Sequence, residues 1–440
     1  MNQMQSIVRR IAAIDPVQRL GRIVSIGAGV VTVGGIGTRA AIGDRLQFAT
    51  GVAGEVVRLG PEGASALIEG SLDGLAIGAL AELGARAQIA PHDGWLGRVV
   101  DCFGNPLDGR PLNAGAVPRA FRAPPPQAAE RGRLGARIRT GLAAFDTLLP
   151  IVRGQRIGLF AGSGVGKSTL LGNLSRGMEC DVAVIALIGE RGRELREFVE
   201  EVLGPEGMAR AVIVAATSDQ SPLLRRRCAW AAMTVAEHFR DAGKHVLFMA
   251  DSITRFAEAH REIALAAGEA PSYRGFPAST AHLIMSLAER AGPGVEGSGD
   301  ITGIFSVLVA GSDMDEPVAD ILRGVLDGHV VLDRAIAERG RFPAVDVLRS
   351  VSRSLPAAAS AAENALLMRA RAMLGAYAES ELMIRAGLYA PGSDPQLDEA
   401  VRLNPAIDRF VGLSSASVSD SFACLATALG VAPPTGHGGT

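Results

Sequence analysis

The sequence predicts an α/β fold: a central, mostly parallel sheet with helices on both faces, preceded by a small β-barrel and followed by a helical domain. Three observations predict it. Apolar runs at 157–160, 182–188, 211–215, 246–250 and 301–309 alternate with stretches of helical period, as in a parallel sheet covered on both faces. Between 21 and 89 the chain has short β-type runs broken by glycine, GRIVSI, GVVTVGG, DRLQFA, GEVVRLG and ASALIEG, whose spacing suits a closed barrel without exposed strand edges. Beyond about 355 it is rich in Ala, Leu, Met and Arg at helical spacing.

Residues 1–20, MNQMQSIVRRIAAIDPVQRL, set Met4, Ile7, Val8 and Ile11 on one helical stripe that stops near Asp15-Pro16, an amphipathic arm whose apolar face needs a partner surface. That surface is either its own domain or another protein. The barrel domain spans 21–89. The run DGWLGRVVDCFGNPLDGRPL opens the next domain, 90–355, ahead of a linker whose Pro124, Pro125 and Pro126 cannot enter a helix or a central strand. The helical domain, 356–440, ends in the turn-rich tail PPTGHGGT.

With 440 residues the chain has room for two or three domains and a large core. Lys plus Arg number 44 against 46 for Asp plus Glu, so no global basic field favours nucleic acid. The barrel region contains one aromatic, Phe48, too few for the stacking platforms of a single-strand binder. Cys102, Cys180, Cys228 and Cys424 are scattered with no C-x-x-C pair, and are expected as buried thiols in a reducing cytosol, not as a disulfide frame or zinc site. No apolar run approaches the ~18 residues of a membrane span, and the N-terminus lacks a signal-peptide core, so a cytoplasmic protein is expected. The 54 glycines, in a chain that is 48% hydrophobic, imply many tight turns within a folded protein.

The stretch AGSGVGKSTL, 161–170, lies between an apolar strand and the helical run LLGNLSRGM. A glycine-rich turn there points backbone N–H groups into one concavity, where they and the helix dipole attract phosphate. Gly162, Ser163, Gly164, Val165, Gly166, Lys167, Ser168 and Thr169 form this cradle, with Ala161 standing where the usual pattern has its first glycine. Lys167 can reach β and γ phosphates, Ser168 can complete a magnesium shell, and Thr169 falls near the α phosphate.

Two further strands end in polar residues. HVLFMAD carries Asp251 at its carboxyl end, suited to orient magnesium; the alternative is a cap for the helix ITRFAEAHREIA. VAVIALIGERGRELREF carries Glu190 and Arg191 just past its strand, a carboxylate to polarise water and an arginine to balance developing charge. Standing alone, Gly-Glu-Arg would read as a surface ion pair.

The ordered set AGSGVGKST, GERGRELREF, ATSDQSPLLRRRCAWAAMTVAEHFRDAGKHVLFMADSITRFAEAHREI, GFPAS and DGHVVLDRAIAERGRFPAVDVLRSVSR resembles the catalytic subunits of the F-type and V-type rotary ATPase superfamily. It is most similar to the branch that energises type III protein export, the flagellum-specific ATPase and its injectisome relatives. PAVDVLRSVS, 343–352, fits that superfamily's signature, and the likeness covers roughly residues 20–410.

The resemblance implies a RecA-like P-loop domain that hydrolyses ATP with Mg2+ to power protein export, flagellar export first and injectisome secretion as the alternative. It makes Lys167 and Ser168 the phosphate and magnesium ligands, with Asp251 orienting magnesium through water. Glu190 falls on the family's catalytic carboxylate, with Arg191 beside it, where noncatalytic paralogues carry glutamine. Arg353 matches the arginine finger that reaches the γ phosphate of a neighbouring subunit, which implies a homohexameric ring. It further implies a regulatory stator protein docked on residues 1–20, and contacts with export-gate proteins, chaperones and exported substrates at the inner-membrane export apparatus.

The family often presents a tyrosine about eleven residues beyond the finger to stack on adenine; Asn364 stands there, so either another side chain, with Phe410 and Phe422 as candidates, covers the base or base selectivity is weaker. The acidic loop of rotary subunits is not evident in 370–400; GLYAPGSDPQLDEAV, 387–401, instead resembles a run typical of export ATPases. That loss, and having Glu190 and Arg353 on one chain, disfavours a catalytic subunit of a rotary synthase. A ring helicase acting on RNA is disfavoured by the aromatic-poor barrel, and a non-enzymatic scaffold by the joint presence of Lys167, Glu190, Asp251 and Arg353.

Overall fold

The computed structural model describes residues 17–27, 29–309 and 314–433. The apolar stripe Met4, Ile7, Val8 and Ile11 and the tail 434–440 lie outside the described residues. The chain forms two compact units: Met1–Gln88 with Gln220–Leu224 and Ala259–Pro277, and Ile89–Asp219 with Arg225–Glu258 and Ala278–Thr440.

In the first unit, strands β1 (Arg19–Gly27), β2 (Val30–Gly34), β3 (Arg45–Phe48), β4 (Ala53–Gly60), β5 (Gly63–Ile68) and β6 (Leu80–Gly84) close into a barrel in the order β1-β2-β5-β4-β3-β6. Alternation decides the inside: Val31 and Val33 are buried while Thr32 between them is not fully so. Ile23, Leu46, Phe48 and Val56 complete a core that fills the interior with side chains. Gly63 is required at a close approach, because a Cβ there would lie 2.2 Å from the carbonyl oxygen of Val33 and its φ is +139°.

After the short strands β7 (Gln88–Ile89), β8 (Arg98–Val100) and β9 (Arg119–Ala120) comes the large sheet of the second unit. It is built from β10 (Arg156–Ala161), β11 (Val182–Glu190), β12 (Ala211–Thr217), β13 (Val246–Asp251), β14 (Ile301–Leu308), β15 (Gly328–Leu332) and β16 (Val345–Ser352), with β8 on one edge. The order is β16-β15-β10-β14-β13-β11-β12-β8. All neighbours are parallel except β15 and β16. The five apolar runs expected as strands are β10 to β14, buried along nearly their whole length because helices cover both faces.

The C-terminal helices Ala361–Arg385, Pro395–Val411 and Val418–Ala428 share one apolar cluster with this sheet. The first is opened by a capping box in which Ser360 and Glu363 satisfy each other's backbone N–H groups. Phe410 and Phe422 are 1% and 2% exposed within the cluster, alongside Phe145, Leu159 and Leu171. They fill the core and present no ring to a nucleotide, which corrects the expectation that one of them covers the base. Asn364 does not substitute, since its amide donates to the carbonyls of Pro356 and Ala359 at 3.0 and 2.9 Å. Of the cysteines, Cys102 and Cys228 are buried as expected, but Cys424 on the last helix is exposed.

Phe410→Ala removes a fully packed ring and is expected to lower unfolding stability by roughly 3–5 kcal/mol, read from the shift of a urea unfolding curve. A loss below about 1 kcal/mol would contradict its place in the core.

Candidate active site

Strand order dictates which side chains can meet. β10, β11 and β13 run parallel, so their carboxyl ends emerge on one edge of the sheet, where ligands bind in open α/β folds. The cradle follows β10, and the helix Lys167–Gly177 begins at once behind it. Gly164 and Gly166 have φ of +75° and +84°, which turns the chain back on itself ahead of the helix. Val165 is buried and anchors the loop, while Ser163, Ser168 and Thr169 are exposed along its rim.

Asp251 is the last residue of β13 and is buried. Its Oδ1 accepts hydrogen bonds from Lys167 Nζ, which is a direct ion pair, and from Ser306 Oγ at 2.6 Å. No cap to the helix Ile253–Ala266 comes from Asp251; Ser252 Oγ accepts from the Arg255 N–H at 3.4 Å instead. Glu190 ends β11, with its Oε1 4.0 Å from Lys167 Nζ. A register shift between Ile188 and Glu190, made at Gly189 with φ +70°, forms a bulge at the end of that strand.

One ammonium thus serves two carboxylates. Burial first, and the charge of Asp251 second, push Glu190 from its ordinary 4.5 up to about 7, while Lys167 pulls the other way. A carboxylate that exchanges its proton near neutrality is matched to accept one from water. Ser168 and Asp251 offer hard oxygen donors, the kind Mg2+ takes in ones or twos alongside phosphate oxygens. Among the described residues no cluster of three or more His, Cys, Asp or Glu could hold a metal by itself. The oxygens of Ser168 and Asp251 are of the kind that fits magnesium.

Three residues at this edge escaped sequence reasoning. Ser306, buried on β14, carries no motif and is reached only through the register of β14 beside β13. Gly189 was visible as the glycine before Glu190, although its bulge was not. Phe342 lies in the turn leading to β16, and its ring would meet a Cβ on Gly166 at 3.1 Å. It is about half exposed and is the aromatic ring packed on the cradle. The signal for it was an aromatic directly before the PAVDVLRSVS signature.

The remaining sequence candidates lie elsewhere. Arg191 points to solvent and pairs with Glu194 at 3.3 Å, the surface ion pair that the run would suggest by itself. Arg353 follows β16, which is antiparallel to β15, with Ser352 opposite Gly328 and Val345 opposite Leu332. It consequently emerges at the amino edge of the parallel strands, a strand length of roughly 20 Å from the cradle edge. Its guanidinium is exposed and donates to the carbonyl of Arg323 at 3.1 Å.

Residues 141–352 match the nucleotide-binding domain of the ATP synthase alpha/beta family, and residues 359–413 match the C-terminal domain of the type III secretion ATPase EscN. The flagellum-specific ATP synthase of Caulobacter vibrioides is 44% identical over 96% of this chain and 98% of its own length. That of Bacillus subtilis is 41% identical over 92% of this chain and 94% of its own. Among solved structures, the assembled ATPase EscN from the enteropathogenic E. coli type III secretion system superposes with a TM-score of 0.87 at 35% identity, covering 93% of this chain and all of that one. EscN in complex with its central stalk EscO gives 0.85 at 36% identity over the same share of each chain. With the cradle, the two carboxylates and the lysine between them already in place, these likenesses settle the family: the chain is an ATP-hydrolysing enzyme belonging to the flagellum-specific ATP synthases, the type III export branch of the ATP synthase alpha/beta superfamily.

Proposed function

We propose that this enzyme hydrolyses Mg-ATP to drive type III protein export, and that the export it drives is flagellar. The observation that carries the chemistry is the convergence of Lys167, Glu190 and Asp251 at the mouth of the cradle. The flagellar assignment is favoured by relatives at 41–44% identity over nearly the whole chain, against 35–36% for EscN. Loss of motility in a deletion strain tests it.

In this reading the backbone N–H groups of 162–169 and Lys167 hold the β and γ phosphates, and Ser168 and Asp251 are the residues that would hold magnesium. Magnesium held there would supply positive charge to offset the charge that develops on the phosphate oxygens. Glu190 accepts the proton of the attacking water. Phe342, packed on Gly166, is the surface on which the base rests. Arg191 stays peripheral, screening charge next to Glu190 at most. Arg353 acts on a different nucleotide from the one its own chain binds, that of the adjoining copy in a homohexameric ring, because the two groups lie at opposite edges of one sheet. The same ring takes a stalk partner, as EscN takes EscO. The arm 1–20 docks a regulatory stator protein, and the ring works at the cytoplasmic face of the inner-membrane export apparatus with export-gate proteins, chaperones and exported substrates. Among the described residues no helix is long and apolar enough to cross a membrane.

Glu190→Gln keeps ATP binding and loses turnover by more than a hundredfold, whereas Lys167→Ala weakens binding and turnover together, as separated by nucleotide titration and steady-state rates. Because Glu190 works as its carboxylate, kcat/KM falls as pH drops through about 7, the value to which burial raises this group; a midpoint near its ordinary value of 4.5 would contradict the assignment. Phe342→Ala raises KM for ATP roughly tenfold, the worth of one base–aromatic stack, and leaves inhibition by inorganic tripolyphosphate unchanged.

A further inference from the structure

Gln155 precedes β10 and is completely buried. A buried amide is tolerated only where its donors and acceptor are met. Its Oε1 accepts from the N–H of Val152 at 2.9 Å, and its Nε2 donates to the carbonyl of Asp327 and to Ser352 Oγ, each at 3.1 Å. Both of the last two partners belong to the root of Arg353. Ser352 is its immediate neighbour, and the same Asp327 carbonyl accepts from the Arg353 backbone N–H at 3.0 Å.

The rest of that root is equally constrained. Ser352 Oγ donates to the Pro150 carbonyl at 2.6 Å and lies 2.9 Å from Ser354 Oγ. The Asp327 carboxylate is held by Arg156, with Nε to Oδ2 at 3.0 Å and Nη2 to Oδ1 at 3.1 Å, while Arg156 also reaches Glu289 at 2.5 Å. Residues 352–354 therefore have little freedom, although the Arg353 guanidinium is exposed. A leucine at 155 would fill the same volume and leave three polar groups without this partner. Gln155 also lies immediately before the strand whose far end becomes the cradle, so one strand ties the finger's root to the chain's own nucleotide site.

We propose that Gln155 is a positioning residue for hydrolysis in the adjoining subunit: through Ser352 and Asp327 it fixes the backbone from which Arg353 projects. The proposal rests on Arg353 being delivered in trans. A group that must meet a γ phosphate across a subunit boundary tolerates little displacement, and misplacement by about 1 Å can cost up to a hundredfold in rate. A glutamine that merely stabilised the fold would act independently of the arginine.

Steady-state ATP turnover of the full chain, under conditions where rings form, separates these roles in Gln155→Leu, Arg353→Ala and the double variant. Gln155→Leu is expected to lower kcat on the order of tenfold, with KM changed less than about twofold, and to have no further effect in the Arg353→Ala background. Ser352→Ala, which removes the hydroxyl that accepts from Gln155 and donates to the Pro150 carbonyl but leaves the Gln155–Asp327 bond in place, is expected to show a smaller drop of the same kind and serves if Gln155→Leu does not fold. Equal losses from Gln155→Leu with and without Arg353, or unchanged kcat in both single-site variants of the root, would overturn the proposal. If Arg353→Ala itself keeps wild-type turnover, trans delivery fails first and the proposal falls with it.

Discussion

A single ammonium held between two carboxylates is the interaction on which the rest of the nucleotide unit depends. Asp251 and Glu190 end neighbouring parallel strands, and without Lys167 their charges would face each other at a half-buried edge. Lys167 binds Asp251 directly and stands 4.0 Å from Glu190, so Asp251 has the closer cation and Glu190 keeps the raised proton affinity that its burial produces. Two carboxylates in one site thereby differ in environment, one tied by Lys167 and Ser306, the other poised near neutral pH. Such divergence suits the separate roles of magnesium ligand and base proposed for them.

The sheet supplies the geometry in a way that no local element could. Carboxyl ends of β10, β11 and β13 share an edge because those strands are parallel, whereas the antiparallel return of β16 delivers Arg353 to the opposite edge. The chain consequently carries a cradle at one edge and an exposed cation at the other. In the proposed ring of identical copies both would be used, and the buried network from Gln155 through Asp327 holds the backbone from which the exposed cation projects.

Much of this was legible in the sequence. Fully buried parallel strands are continuous apolar runs, so 157–160, 182–188, 211–215, 246–250 and 301–309 identified five strands of the sheet, and the carboxylates stood at the ends of two of them. The barrel was equally plain from short alternating runs. Other features depend on register and packing, which a linear pattern does not contain. Ser306 reaches Asp251 only because β14 lies beside β13, and β16 was read as a signature, not as an edge strand. Phe410 and Phe422 stand in the sequence as candidates to cover the base in place of a tyrosine, one of two alternatives, yet apolar residues at helical spacing in a terminal bundle are core, and both rings are buried. Phe342 was overlooked because its proximity to Gly166 joins segments more than 170 residues apart.

Subunit complementation tests the central claim most directly. Glu190→Gln chains lack the proposed base but keep the arginine, and Arg353→Ala chains lack the arginine but keep the base. The account predicts that rings of either variant alone are inactive, and that mixed rings recover ATP turnover at interfaces where an intact Arg353 meets an intact Glu190. Mixed rings that assemble with nucleotide bound and stay as inactive as the parents would contradict it.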